Sequence, residues 1–415
     1  MGDMERGMGA SKQRLPALVV TLGIVSLFTD VATEMIVPVM PIFLTATLGA
    51  SAATFGLIEG FSDLIASVIK GFSGAWSDRG GTRRRWILAG YSLSTLARPF
   101  ISLATAPWHV LALRGTDRVG KGLRTAPRDA LIATTVSTNQ HGRAFGFHRA
   151  MDHGGALLGG LLAAGLLALG LGPRSIIAWS IVPGMLAVLC ILFFVKEPAP
   201  RPEACPDKPH TPVPWRHLPA VLGPELRRYL LITGCFAFGN SSDAFLLLKA
   251  RESGLPDAAL PLLWAWIHVA RIGSNLLGGS LSDRLGARRT VAAGWLCYAV
   301  VYGLVAMSHH PWQIWVVLGA YGLYSGLTEG GEKALVAELA GEEAKGAAFG
   351  AFHLATGVIA LPASVLTGFL WDRHGSMVAL LACAAFAFAA SIWLFAAPPG
   401  RLRQQINPNS SSKDQ

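Results

Sequence analysis

The chain has 415 residues, of which 52% are hydrophobic and only 14% charged. A soluble globular domain is about a quarter charged, so this composition excludes an ordinary soluble enzyme. The formal net charge of +10 falls largely in short loops beside apolar runs, where a positive-inside bias explains it better than nucleic-acid binding does.

In chain order, the polar start from Met1 to Arg14 leads into a long apolar span with no A-x-A cleavage site. It reads as a retained helix and not as a signal peptide. Apolar periodicity and length predict about twelve spans, at roughly 16–46, 53–76, 85–106, 108–135, 143–170, 174–196, 228–251, 258–280, 290–308, 312–338, 347–370 and 377–397. Between the sixth and seventh, eight prolines from Pro198 to Pro219 stop any helix and read as an extended linker. The predicted organisation is an N-terminal six-helix bundle (1–197), a cytoplasmic linker (198–225), a C-terminal six-helix bundle (226–398) and a polar, disordered cytoplasmic tail (399–415).

Alternate loops are basic. One set holds Lys12 and Arg14, Arg79 with Arg83 to Arg85, Arg143, Arg216 with Arg227 and Arg228, Arg284 with Arg288 and Arg289, Lys345, and Arg401 with Arg403. The other set holds mainly Arg174, Lys249, Arg251 and Arg373. Both termini are therefore expected in the cytoplasm of a bacterium-like cell, with the chain in its inner membrane. The five cysteines are scattered, with no C-x-x-C pair and no disulfide framework.

One signature occurs twice. Gly74 to Arg84, with Asp78, Arg79, Arg83 and Arg84, fits G-x-x-x-D-R-x-G-x-R-R. Gly279 to Arg289, with Asp283, Arg284, Arg288 and Arg289, fits it again 205 positions later. Arg128-Asp129-Ala130-Leu131 aligns with Glu332-Lys333-Ala334-Leu335 at nearly the same offset, with two charges reversed. A repeated basic loop between spans points to a transporter of two related halves.

At these residues the chain resembles the major facilitator superfamily. The two basic loops are similar to that family's signature after spans 2 and 8. Arg118-Val119-Gly120-Lys121-Gly122 resembles its span-4 motif R-x-x-Q-G, with Lys121 in place of Gln. Gly155 to Gly160 resembles its span-5 motif G-P-x-x-G-G, with Ala156 in place of Pro. The resemblance implies an all-α membrane protein of two pseudo-symmetric six-helix bundles around a central cavity, working by alternating access. It also implies a latch built from Gly74, Asp78, Arg79, Arg83, Asp283, Arg284 and Arg288 that holds the bundles together on the cytoplasmic side. The alternative for these arginines is purely topogenic.

Charges inside spans are costly, about 2.5–3.5 kcal/mol each on insertion scales. Span 4 carries Arg114, Asp117, Arg118, Lys121, Arg124, Arg128 and Asp129, all within an arc of roughly 140° at helical periodicity. Spans 1 and 2 supply Asp30 with Glu34 and Glu59 with Asp63, each pair on one helix face. The resemblance implies that spans 1 and 4 share one inner layer, where Asp30 or Glu34 would meet Arg118 or Arg114. A carboxylate leaving an arginine takes up a proton, which gives a route for proton coupling; a static ion-pair network is the alternative. In the second half, Asn240, Asp243 and Arg271 are candidate cavity residues, and Glu329 is expected to neutralise Lys333 one turn on. Asp152 lies one turn from His148, with His153 beside it; these and His353 are read as hydrogen-bonded helix contacts, with a divalent metal as the alternative. Gly154, Gly155, Gly159 and Gly160 are expected to serve close helix packing.

The sequence thus reads as a secondary transporter and not an enzyme: it has no G-x-x-x-x-G-K-[ST] loop, no nucleophile–base pair, no cofactor and no metal centre. The favoured function is proton-coupled export of a small molecule or cation by a monomer in the lipid bilayer, without nucleic acid. A proton-coupled importer and a non-transporting receptor or scaffold are the alternatives.

Overall fold

The structure is a computed structural model, and it describes residues 15–79, 82–136, 141–196, 223–340 and 345–397. The expected polar tail (399–415) and the expected linker up to residue 222 lie outside these residues. The described residues contain no strand. They form α1 (Ala17–Thr47), α2 (Ala52–Arg79), α3 (Arg83–Phe100), α4 (Pro107–Thr135), α5 (His141–Ala168) and α6 (Pro173–Phe194). The second half supplies α7 (Pro224–Glu252), α8 (Leu260–Leu285), α9 (Ala287–Ala306), α10 (Pro311–Leu339), α11 (Lys345–His374) and α12 (Ser376–Ala396). These lie within a few residues of the predicted spans.

Local chemistry sets the boundaries. Pro107, Pro173, Pro224 and Pro311 each open a helix, where the missing N–H costs nothing. Gly286 (φ 85°) and Gly375 (φ 86°) make the turns into α9 and α12; a side chain there would be strained. Two helices are interrupted. α1 leaves regular geometry after Glu34, ahead of Pro38 and Pro41, and α7 breaks between Gly239 and Ala244.

Eight of the twelve helices are long and apolar enough to cross a membrane by composition. The other four are α3, α4, α8 and α10, and the charges on α4 show why a hydropathy criterion alone passes it over. In the first half α1 packs on α5 and α6, and α4 on α2 and α3; in the second, α8 and α9 pack on α10, and α12 on α7 and α9. The halves meet along two seams, α2 with α11 and α5 with α8. Glycine makes the approach possible. A Cβ on Gly60 would lie 2.8 Å from the Leu361 Cα, and one on Gly160 3.0 Å from the Pro261 carbonyl oxygen. Gly155 and Gly159 do the same for α5 against α1, whereas Gly154 faces open space.

At the end opposite the basic loops the halves are tied together. Asp372 accepts hydrogen bonds from the backbone N–H of Ala52 (2.9 Å) and Ala53 (2.8 Å), capping the start of α2 from the end of α11. Arg251 donates to Thr45 Oγ1 at 2.8 Å, and Phe245 bridges Phe55 and Trp371 with ring centroids 5.3 and 5.6 Å away. Asp372-Arg373-His374-Gly375 carries the D-R-x-G of the two basic-loop signatures, on the face away from those loops. Carboxylate capping at a helix start contributes about 1–2 kcal/mol in partly buried settings. Asp372→Ala should therefore open this end roughly tenfold more often. A cysteine at Thr45 should react correspondingly faster with an impermeant maleimide added from that side; an unchanged rate would show that the cap does not hold the end shut.

Candidate functional site

Between the halves lies a cavity of about 540 Å³. Helical spacing builds its first wall: Glu59, Asp63, Ser67 and Lys70 descend one face of α2, and Arg114, Arg118, Lys121 and Thr125 one face of α4. Glu34 enters from the point where α1 breaks. The facing wall is less charged. It comes from Thr233, Phe236 and the interrupted segment Asn240–Asp243 of α7, Trp264 of α8, Glu332 of α10, and His353 and Thr356 of α11.

The charged stripe of α4 does not act as one surface. Arg114 donates to Glu59 at 2.5 Å, a buried pair on the cavity wall. Asp117 and Arg124 turn away from the cavity into α3. Asp117 is paired with Arg98 at 2.9 Å, both almost fully buried, and Arg98 also reaches the Thr29 carbonyl at 3.4 Å. Arg124 donates to Ser94 Oγ at 2.8 Å and lies 4.4 Å over the Tyr91 ring. Arg128 pairs with its neighbour Asp129 at 2.8 Å. Of the candidates Arg114, Asp117, Arg118, Lys121, Arg124 and Arg128, only Arg114, Arg118 and Lys121 line the cavity: at helical periodicity a stripe this wide spans two faces, and α3 offered Arg98 and Ser94 to the second.

The expected contact of Asp30 or Glu34 with Arg118 or Arg114 is also corrected. Glu34 accepts from the Trp264 indole at 2.8 Å, a bond between the two halves. Arg114 is taken by Glu59. Among the described residues, Asp30 has no hydrogen bond and Arg118 has no carboxylate oxygen within 4.0 Å. Asp30 stands instead in the electrostatic neighbourhood of Glu34, Lys121, Arg124 and Asp152. Asp152 accepts from Ser26 Oγ at 2.5 Å and lies 3.3 Å from His148 Nδ1.

In the second half Asp243, at the α7 break, is held by Arg271 at 2.5 Å and by the Tyr321 hydroxyl at 2.6 Å. Arg271→Ala removes one partner of this pair. The Asp243 side chain is 27% exposed on the cavity wall and keeps the Tyr321 hydroxyl, so the loss should be about 1–3 kcal/mol, read as a fall in thermal midpoint; a midpoint equal to wild type would show that Asp243 is satisfied by water. Asn240 lines the cavity at the same break. Glu329 does not pair with Lys333, contrary to expectation. It accepts from Ser325 at 2.7 Å and from Asn275 at 3.5 Å, and Asn275 Nδ2 is 3.3 Å from His153 Nε2. Polar contacts across the α5–α8 seam recruit it instead. Among the described residues, no three His, Cys, Asp or Glu side chains converge as a metal site.

For the expected latch, the side chains of Gly74, Asp78, Arg79, Asp283 and Arg284 lie outside the described residues. Arg83 reaches Thr134 Oγ1 at 3.4 Å. Arg84 donates to the Leu192 carbonyl (2.8 Å) near the end of α6, and Arg288 to the Leu394 carbonyl (2.9 Å) near the end of α12. Cations at helix C-termini are favoured, so these arginines tie each basic loop to its own half.

Sequence reasoning missed Lys70, Trp264, Arg98 and Tyr321. Lys70 was findable, seven residues from Asp63 on one helical face. The others are contacts between distant helices and leave no local pattern.

A polar, charge-walled cavity between two bundles of membrane-length helices defines a polytopic membrane transporter. The sequence model of the Major Facilitator Superfamily matches residues 22–273 and 260–412; the chain belongs to that superfamily. It is 29% identical over 374 residues to an uncharacterized MFS-type transporter of Methanocaldococcus jannaschii, covering 87% of this chain and 92% of that one. It is 30% identical to the multidrug resistance protein MdtH of Photorhabdus laumondii, but over only 125 residues, 30% of this chain and 31% of the other. Its fold is similar to the crystal structure of a bacterial homolog of the human lysosomal transporter Spinster, with TM-score 0.72 and 15% identity over 91% of this chain and 95% of the other.

Proposed function

We propose that the chain is a proton-coupled secondary transporter that exports a small solute from the cytoplasm through this cavity. The two six-helix bundles (1–197 and 226–398) rock about the α2–α11 and α5–α8 seams, and the basic loops face the cytoplasm of a cell with the chain in its inner membrane. One chain is the working unit. The observation that carries proton coupling is Asp30. It is an intramembrane carboxylate with no hydrogen-bond donor among the described residues, with Lys121, Arg124, Glu34 and Asp152 as its charged neighbours. Such a group is satisfied either by a cation or by a proton, and a shift of α1 against α4 and α5 exchanges one for the other. Asp63 and Glu34 extend the acidic wall into the cavity. Export is supported by the resemblance of about a third of the chain to MdtH.

Import with a proton is the second reading, and Arg118 and Lys121 favour it. An anion that occupied these cations would release the nearby carboxylates to protons, so that both would move together. Vesicles of the two orientations separate the readings. In inverted vesicles with an acidified lumen, an exported compound should discharge the pH gradient as it enters. A compound that discharges an acid-outside gradient in right-side-out vesicles supports import. No proton movement in either orientation, across a panel of drugs, organic anions and divalent metals, would overturn proton coupling.

A further inference from the structure

The charges of the cavity wall are unequally satisfied. Arg114 has Glu59, and Glu34 has Trp264. Arg118 is 7% exposed, lines the cavity, and its Nε is buried with no hydrogen-bond partner. Lys121, one turn further along α4, stands exposed on the same wall and makes no ion pair within 4.0 Å among the described residues. The carboxylates that face the two are Asp63 and Glu59 from α2 and Asp30 from α1. Glu59 is committed to Arg114. Asp63 and Asp30 are electrostatic neighbours of Arg118 and Lys121 without reaching ion-pair distance.

The approach from the basic-loop end is also cationic. Lys70, Arg149 and Lys333 are mutual neighbours there. The opposing Asp129 is held by Arg128, and Glu329 by Ser325 and Asn275. The cavity lining carries both signs, Glu34, Glu59, Asp63, Asp243 and Glu332 against Lys70, Arg114, Arg118 and Lys121. Its attraction for an anion therefore rests on Arg118 and Lys121, which no carboxylate among the described residues contacts within 4.0 Å.

We propose that Arg118 and Lys121 form a subsite for an oxyanion, the carboxylate or phosphate of a small organic anion. A guanidinium offers a planar fork that matches either group, and the ammonium adds a mobile point charge. The facing wall is suited to the rest of the solute. Thr233, Asn240, Ser242 and Thr356 offer hydrogen bonds and Phe236 a ring face, which fits a neutral, hydroxyl-bearing or aromatic body. The inference rests on the cavity being the substrate site and holds for either direction of transport.

The test is equilibrium binding to the full chain in lipid nanodiscs, with labelled benzoate and phenyl phosphate as anions and benzyltrimethylammonium as the competing cation of similar shape. Saturable binding of at least one anion is expected, weakened tenfold or more by Arg118→Gln and by Lys121→Gln, partly kept by Arg118→Lys, and untouched by the cation. Lys121→Gln alters a side chain exposed in the cavity, so it serves if Arg118→Gln does not fold. The relative affinity of the two anions separates carboxylate from phosphate. The subsite is overturned if neither anion binds saturably, if both Gln variants bind as wild type does, or if the cation competes at equal concentration. Because no gradient is involved, the subsite and the proton-coupling reading fail separately. Anion binding without proton flux keeps the subsite and sinks the coupling; proton-driven flux of a cation without anion binding does the reverse.

Discussion

Replacing Asp117 by asparagine should destabilise the protein by about 3–5 kcal/mol. Asp117 and Arg98 are 1% and 2% exposed, and their 2.9 Å bond is buried between α3 and α4. Asparagine keeps an amide oxygen for the Arg98 Nε–H, and the Thr29 carbonyl stays at 3.4 Å, but Arg98 then sits as an unbalanced charge where water cannot reach. Replacing both partners together, Arg98→Met with Asp117→Leu, removes the stranded charge and should recover most of the loss, because buried pairs are often exchangeable for apolar residues of similar volume. Thermal unfolding of the detergent-solubilised variants checks this. A single variant as stable as wild type, or a double variant worse than the single, would show that the pair is not dry or that its shape matters more than its charge.

Asp30→Asn should abolish gradient-driven accumulation, by at least tenfold, while exchange of unlabelled for labelled solute continues. Asparagine keeps the size of the side chain beside Gly155, whose added Cβ would meet the Asp30 Cβ at 2.9 Å, so packing of α1 on α5 is preserved. What is lost is the ability to gain and lose a proton. Exchange needs only solute-bound transitions between the two openings of the cavity, and the variant keeps those. Accumulation under an imposed pH gradient and exchange at equilibrium are measured on the same proteoliposomes. Equal accumulation in wild type and variant would move the coupling site to Asp63, Asp152 or Asp243. Loss of both activities would mark Asp30 as structural.

The twelve helices were legible because their signals are local: apolar length, proline at helix starts, glycine at turns, and basic loops in alternation. The repeat around Asp78 and Asp283 showed that there are two halves. The site was legible only in part. Residues of α4 could be placed on faces by periodicity, but which face each chose depended on partners in other helices. Arg98 claimed Asp117, Ser94 claimed Arg124, and Glu59 claimed Arg114, leaving Arg118 without a carboxylate in contact. Glu34 likewise found Trp264, 230 positions away. No short-range pattern encodes such pairings, since α1 and α8 belong to different halves of the chain. The D-R-x-G at Asp372 was visible in the chain, but its role depends on α2 beginning beside it.

The central claim is that this cavity carries a solute in obligatory exchange or company with protons. It is tested most directly on the purified chain in liposomes containing a pH-sensitive dye, with an imposed gradient and a panel of organic anions, drugs and metals added one at a time. The account predicts proton flux that starts only when a transported compound is added, is absent from Asp30→Asn, and changes direction with the gradient. Proton flux in the Asp30→Asn variant equal to wild type would move the coupling site and leave the claim standing; compound entry in wild type at the same rate with and without the gradient would contradict it.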